Sequence, residues 1–539
     1  MENEEQPLNL GIKQTPTAEE LIQFDKPKKE KLSERISNWV KNPSNRVIIF
    51  VFITIIILRF YYFWITKNQP VWWDESEYLS AAKSFAGIVD YQLADIRLPG
   101  LPILISIFYM IGITQEPIIR FFISFIPSIL VLFVIYFLII EMYSDKRIAI
   151  ISTILFGVLW ESLFYSNRFQ TEHLSLLFEL FAFLILFKVY MKKEKLSFIT
   201  PKLSLLWILL FSILSILIRS GSAPFFPTII LFIILLHQSF FTDKKNKVVS
   251  ITALILSIIL ILYVYLNLEK IPIINIAYHP DFELGWASLT VFRGFFDSVI
   301  PNIPPVLLYT FYIGFFLTLF NTFFLIDKIK NIKKDSSILE FKSDLFNLIL
   351  LISVLFAFVY LIRPSAIEFR WFFLILLPIF IFTSKGIIFI ADLVGKLSKT
   401  KMLIILIILL ISGIGIYNQV IHADSIIHQR LNSYSQIKDA GLWIKENSEL
   451  GDYILTRSPH QITYYSERPT SNYGQFNESQ FFELVNQTHP KYMVESALEP
   501  HPGEWGLEPT IEMQKILTPV QVFYAEDGKT PIAIIYQFN

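Results

Sequence analysis

The chain has 539 residues, of which 53% are hydrophobic and 16% aromatic; only 17% are charged, with bases and acids in equal number. Soluble domains carry roughly a quarter charged residues, so this composition excludes an ordinary soluble protein, and zero net charge gives no reason to expect nucleic acid. The absence of cysteine excludes disulfides, thiolate metal sites and cysteine nucleophiles together.

About 45 mostly polar residues precede the first apolar run, with a basic cluster, KPKKEK, at 26–31. That start is unlike a cleavable signal peptide and predicts a disordered cytoplasmic tail over 1–45. Apolar runs then recur at 46–66, 118–140, 148–164, 174–190, 203–218, 224–240, 248–266, 304–326, 345–362, 371–390 and 402–419. Runs of about 17–23 residues cross a bilayer core of roughly 30 Å at 1.5 Å per residue. The fold class expected is therefore a polytopic α-helical membrane protein. A further run, LPGLPILISIFYMIGI at 98–113, has Pro99, Gly100 and Pro102 in its first turn. Positive charge decides its place. If it does not span, the loops at 141–147, 191–202, 241–247, 327–344 and 391–401 share the cytoplasmic side and hold 17 lysines and arginines, against 6 in 165–173, 219–223, 267–303 and 363–370. Spanning would put the lysine-rich loops outside. The sequence thus predicts about eleven transmembrane helices within 46–420, an interfacial or re-entrant stretch at 98–113, and one long external segment at 67–117.

Residues 421–539 then lie outside the cytoplasm and change to mixed polarity. A helical pattern in SQIKDAGLWIKEN and strand-like runs DYILT, PVQVFYAE and PIAIIYQF, the last two joined by the turn former Asp527-Gly528, predict a small α/β domain. Two glycosylation sequons, at Asn477 and Asn486, fall here and are short enough to arise by chance.

The polar residues near the spans come next. VWWDESEYL at 71–79 sets Asp74, Glu75 and Glu77 among Trp72, Trp73 and Tyr78. Arg97 precedes the interfacial stretch; Arg168, Glu172 and His173 sit in YSNRFQTEHL; Arg219 ends a span in LIRSGSAP; Arg363, Glu368 and Arg370 sit in IRPSAIEFRW. All are expected at one membrane face. Taken singly, such an arginine snorkels to headgroups, such a histidine satisfies a local hydrogen bond, and such acids are solvated. Taken together, arginine at four helix junctions with almost no lysine suits the two-pronged hold of guanidinium on phosphate. A lipid-linked phosphate at headgroup height would be held there. A carboxylate would take the proton from an incoming hydroxyl, and positive charge would stabilise the departing phosphate. A sugar is the obvious group to be transferred. Trp72 and Trp73 either lower the polarity around Asp74 and raise its basicity or simply belong to the interfacial aromatic belt.

The motif DESEY, the Arg-x-Pro at Arg97–Pro99, the RFQTE stretch from Arg168 to Glu172, IRSGSAPFFP and FRWFFLILLP, in this order over 46–420, resemble the C-type (GT-C) integral-membrane glycosyltransferases. Within them the nearest are those of family 39 and its relatives, the protein O-mannosyltransferases and the lipid A aminoarabinose transferases. The resemblance implies a polyprenyl-phosphate sugar donor and direct, inverting displacement on the extracytoplasmic face. The acceptor would be a hydroxyl of a protein, a glycan or a lipid, and the group moved a hexose or a pentose. It implies Asp74 as general base and Glu75 as an auxiliary carboxylate. Arg97, Arg168, Arg219 and Arg370 would hold the donor phosphate. Two departures stand out. The second-loop acid, Glu172, follows its arginine by four residues rather than five, with His173 in the fifth place, so that either could face the site. Arg219 stands where lysine is usual.

No cofactor is required by this chemistry; Asp74, Glu172 and His173 offer ligands to a divalent metal without obliging one. An oligosaccharyltransferase-like enzyme would be expected to carry its WWD motif in the terminal domain, whereas here the only WWD is at 72–74. A transporter would concentrate charge near the midplane and show an internal repeat; neither pattern is seen.

Overall fold

The computed structural model describes residues 40–93, 97–237, 306–328, 335–361, 369–474, 477–497, 509–525 and 527–539. Most of the expected N-terminal tail, the expected span at 248–266, and Arg363 with Glu368 lie outside these residues. The chain divides into two units, Met1–Thr54 and Ile55–Asn539. The first holds the start of an apolar helix, Pro43–Thr66; the second holds everything discussed below.

Six helices among the described residues are long and apolar enough to cross a membrane: Asn45–Thr66, Glu116–Tyr143, Glu172–Met191, Pro201–Ile218, Arg370–Ser398 and Lys401–Gln429. Phe225–His237, Val306–Lys328 and Asp335–Leu361 are apolar helices as well. Met402, Ile405, Leu406, Leu409 and Leu410 are each more than half exposed along one helix, an apolar surface suited to a membrane. The chain is a polytopic membrane protein.

One expected span differs. The run at 148–164 forms two helices, Lys146–Val158 and Trp160–Tyr165, separated at Leu159, whose ψ of 127° is incompatible with helix. Hydropathy registers apolar length and is blind to a single residue's backbone.

Two long helices meet backbone to backbone. A Cβ placed on Gly314 would collide with the carbonyl of Phe382, and one on Gly386 with the carbonyl of Thr310. Small residues at such crossings let transmembrane helices approach and gain dispersion contacts. Gly386→Leu is therefore expected to abolish recovery of monodisperse protein from detergent, while Gly413→Leu, at a site with nothing within 4 Å, leaves recovery unchanged; size-exclusion profiles compare them.

The stretch at 98–113 contains one helix, Gly100–Met110. Eleven residues reach only about 16 Å, roughly half the apolar core, so it is too short to span. It packs against the helix that carries the acids, Trp73–Phe85. Val71, Tyr78, Leu79 and Ala82 on that side meet Leu101, Ile105 and Tyr109, and Tyr464 and Tyr465 from the C-terminal part join the same core. The acidic helix closes at Gly87, whose φ of +75° is the left-handed conformation that suits glycine beyond a helix end; Ile88 N donates back to Lys83 O.

The C-terminal part is a five-stranded sheet in the order β2-β1-β3-β5-β4, with β1 Ile454–Thr456, β2 Thr470–Asn472, β3 Tyr492–Ser496, β4 Leu517–Tyr524 and β5 Pro531–Phe538. β1 is parallel to β2 and β3, while β5 is antiparallel to β3 and β4. Alternate residues serve opposite faces. Ile454, Tyr492, Val494 and Ile535 pack under helix Ser435–Asn447; Leu455, Met493 and Tyr536 pack under helix Glu478–Thr488. The helix expected in SQIKDAGLWIKEN and the hairpin at Asp527-Gly528 are both present. β2 and β3 are additions, since TSN is short and polar and KYMVES lacks a clean alternation. Asn477 of the first sequon caps helix Glu478–Thr488, accepting from Gln480 N.

Candidate functional site

The acidic helix, Trp73–Phe85, sorts its carboxylates by phase. At 100° per residue, Asp74 and Glu77 share a face, and Glu75 points elsewhere. Asp74 lies between two guanidinium groups. Its Oδ1 accepts from Arg97 Nη2 at 2.5 Å, and its Oδ2 lies 2.6 Å from Arg370 Nη2. Arg97 reaches back with Nε to Glu77 Oε2 at 2.6 Å, so one arginine bridges both acids of that face.

Arg370 is the second residue of a 3-10 turn, Phe369–Ile375, at the head of helix Leu376–Ser398. It donates to Gln170 Oε1 at 3.0 Å, and its Nε lies 4.0 Å from Glu172 Oε1. Arg219, just beyond helix Ser204–Ile218, lies 3.2 Å from the same Glu172 oxygen and donates to the Arg370 carbonyl at 2.6 Å. Asp74, Glu77, Glu172, Arg97, Arg219 and Arg370 thus form one connected network drawn from separate stretches of chain. Of the six, Asp74 and Arg97 are the most open, with side chains 18% and 20% exposed.

Three of the residues singled out from the sequence are placed differently. Glu75 is fully buried and does not face that network. Its carboxylate accepts from the backbone of Trp72 at 2.7 Å and of Phe169 at 2.8 Å, and pairs with Arg168 at 3.1 Å. Arg168 is consumed by that pairing and by stacking on Trp72, 3.6 Å from the ring centroid. The two fasten the loop at 166–171 behind the acidic helix. His173 is also buried, its Nε2 3.1 Å from Ser162 Oγ and its ring against Phe373. Glu172, not His173, joins the network, because a helix starting at Glu172 turns consecutive side chains apart. Among the described residues no group of three or more histidines and acids gathers to hold a metal.

Charge also overrides the expectation for Asp74's basicity. Burial pushes its carboxyl up, but Arg370 and Arg97 outweigh that and hold it below the usual carboxylate range. Of the neighbouring tryptophans, Trp72 stacks on Arg168, and Trp73 meets His460 edge-on at 4.8 Å.

Several residues were given no site role from sequence. Glu77 carried a signal, its three-residue spacing from Asp74. Arg120 carried one too, a lone charge inside IIRFFISF. It is fully buried, donates to the carbonyls of Asn167 and Gln69 at 2.6 and 3.1 Å, and is followed by a π-helical turn, Phe121–Phe125. Gln170 and His460 carried none.

Glu75 gives a stability prediction. Removing one partner of a buried pair costs on the order of 3–5 kcal/mol. Glu75→Gln is expected to lower the melting temperature in detergent by several degrees, whereas Asp74→Asn, on a more open group, leaves it nearly unchanged; a fluorescence melt reads both.

No protein-family model and no curated protein matches the sequence. Solved structures do. ArnT from Cupriavidus metallidurans in the apo state aligns over 91% of this chain and 98% of its own, at TM-score 0.56 and 10% identity. The same protein bound to undecaprenyl phosphate aligns over 92% and 98%, at TM-score 0.57 and 11% identity. This chain has the ArnT fold. The likeness is one of fold, and it extends over 91–92% of this chain.

Proposed function

We propose that this protein is a membrane glycosyltransferase that moves a sugar from a polyprenyl-phosphate donor to an acceptor hydroxyl, with inversion, on the extracytoplasmic face. The observation that carries the proposal is Asp74 held between Arg97 and Arg370 in a chain with the ArnT fold, a fold also solved with undecaprenyl phosphate bound. A carboxylate able to accept a proton and guanidinium groups able to hold a phosphate stand in direct contact.

In this proposal the donor phosphate takes Arg370 and Arg97 as its partners. Released from them, Asp74 accepts the proton of the acceptor hydroxyl. That oxygen forms a bond to the sugar's anomeric carbon as the bond from that carbon to the phosphate oxygen breaks. The electron pair leaves with the lipid phosphate, whose charge the arginines stabilise. Arg219 and Glu172 position Arg370. Glu75 and Arg168 keep the loop in place and touch neither substrate. The proposed steps balance without calling on a metal.

The sidedness rests on the lysine-rich loops, and the proposed topology has eleven spans, a cytoplasmic N-terminus and an extracytoplasmic C-terminal domain. That domain is proposed to help choose the acceptor, since its helix Pro459–Ser466 packs on the acidic helix. Incubating purified protein with a panel of polyprenyl-phosphate sugars and candidate acceptors tests the function. Acceptor-dependent release of lipid phosphate is expected, and its absence throughout the panel would sink the proposal.

A further inference from the structure

We infer that His460, contributed by the C-terminal domain, is a positioning residue for the transfer site, acting through Glu77 on the Arg97–Asp74 pair. The inference rests on the transferase proposal above and deepens it.

Its basis is a continuous line of side chains. His460 is the second residue of helix Pro459–Ser466. Its Nδ1 lies 2.6 Å from the hydroxyl of Tyr91, and its Nε2 lies 3.3 Å from Glu77 Oε1. The other Glu77 oxygen is held by Arg97, and Arg97 holds Asp74. With the ring proton on Nε2, facing the Glu77 carboxylate, Nδ1 accepts from Tyr91. Burial, with Arg97, pushes the imidazole down against the pull of Glu77 and Asp74, which favours the neutral ring, whose two nitrogens have distinct roles. Trp73 packs on the ring edge-on, and Ser80 Oγ donates to the His460 carbonyl at 3.4 Å. His460 is therefore fixed by the acidic helix as firmly as it fixes Glu77.

The attachment has independent supports. Lys83 of the acidic helix lies 2.8 Å from Glu467 and donates to the Tyr464 carbonyl. Tyr465 OH accepts from Val71 N, and Gln461 donates to the Val71 carbonyl. Removing the imidazole thus leaves the domain docked while releasing Glu77, the Tyr91 hydroxyl and the edge of Trp73. Without its second partner Glu77 swings, Arg97 follows, and Asp74 loses the geometry that the hydroxyl needs.

The test is a double-mutant cycle on full-length protein, with lipid phosphate release as the readout. His460→Ala is expected to lower kcat about 10-fold with an unchanged melting temperature. His460→Gln, whose amide nitrogen can still donate to Glu77, is expected to recover most of the loss. His460→Ala combined with Glu77→Gln is expected to be no slower than Glu77→Gln alone, because residues acting in one line are not additive. Tyr91→Phe, which removes only the donor to Nδ1, is expected to cost a few-fold. Activity of His460→Ala equal to wild type, or losses that multiply in the double variant, would overturn the role of His460 and leave the transferase proposal standing. A wild-type chain that releases no lipid phosphate from any donor would overturn both.

Discussion

Asp74→Asn is expected to lower transfer by about 10³-fold, within the range of a lost general base, while tightening the hold on lipid phosphate. The two halves have one cause. Among the described residues, the network outside the Glu75–Arg168 knot holds three acids, Asp74, Glu77 and Glu172, against three arginines, Arg97, Arg219 and Arg370. A singly charged phosphodiester adds a fourth negative charge. It must compete with Asp74 for the same guanidinium groups. Asparagine removes the competitor, and an affinity gain of about tenfold, roughly 1.4 kcal/mol, is the expected size. Titration of the variant with a polyprenyl-phosphate sugar in the absence of acceptor, beside wild type, measures it. Weaker binding by the asparagine variant would show that Asp74 organises the arginines rather than competing for them.

The same competition has a pH signature. With Arg370 and Arg97 on both its oxygens, Asp74 is held below the usual carboxylate range. A base works in its deprotonated form, so kcat/KM should stay level as pH falls to about 4, the ordinary aspartate value, and decline only below it. Once phosphate draws the arginines away, the carboxyl rises toward its burial-dominated value. The acid limb of kcat, which reports the donor complex, is therefore expected at higher pH than that of kcat/KM. Coincident limbs would mean that donor binding leaves the Asp74 pairs intact.

The second large effect is expected at Arg370. This side chain touches Asp74 and Gln170 and lies 4.0 Å from Glu172. Arg370→Ala removes a phosphate partner and leaves Asp74 to Arg97 alone and Glu172 to Arg219 alone. Loss of one such electrostatic contact in a transition state costs on the order of 3–4 kcal/mol, which is roughly 10³-fold in kcat/KM. Arg370→Lys should recover little, since one ammonium cannot reproduce a fork directed at Asp74 and Gln170 together. Arg219→Lys should be milder. Arg219 meets the network at one carboxylate oxygen and one backbone carbonyl, contacts that a point charge can partly replace. Steady-state kinetics on the three variants decide the order, and an Arg370→Lys variant as active as wild type would contradict the assigned role.

How far the site was legible depends on what kind of signal each residue leaves. Asp74, Arg97, Arg219 and Arg370 were visible because each is a charge where apolar sequence borders a loop, and burying or half-burying a charge demands a reason. Glu75 and Arg168 gave the same signal for a different reason: they neutralise each other behind the helix. Sequence marks that a charge is costly, not which charge settles it. Once Trp73–Phe85 is a helix, the phase of DESE separates Glu75 from Asp74 and Glu77. His173 was a candidate only through its place after Glu172, and the first turn of that helix carries it away to Ser162.

The amino-acid order alone determined the apolar helices, the short proline-led stretch that cannot cross, the change of character after residue 420, and the strands that alternate cleanly. These follow from periodicity and from the cost of unpaired backbone in lipid, which act over a few neighbouring residues. Only the tertiary structure decided which of the charged residues meet. Asp74 finds Arg370 from a distant part of the chain, and His460 reaches Glu77 from a separate layer of the molecule, because packing of Tyr464 and Tyr465 into the core beneath the acidic helix brings the latter pair together. A contact between distant segments is fixed by the summed burial of many apolar side chains, and no local pattern around either partner encodes it.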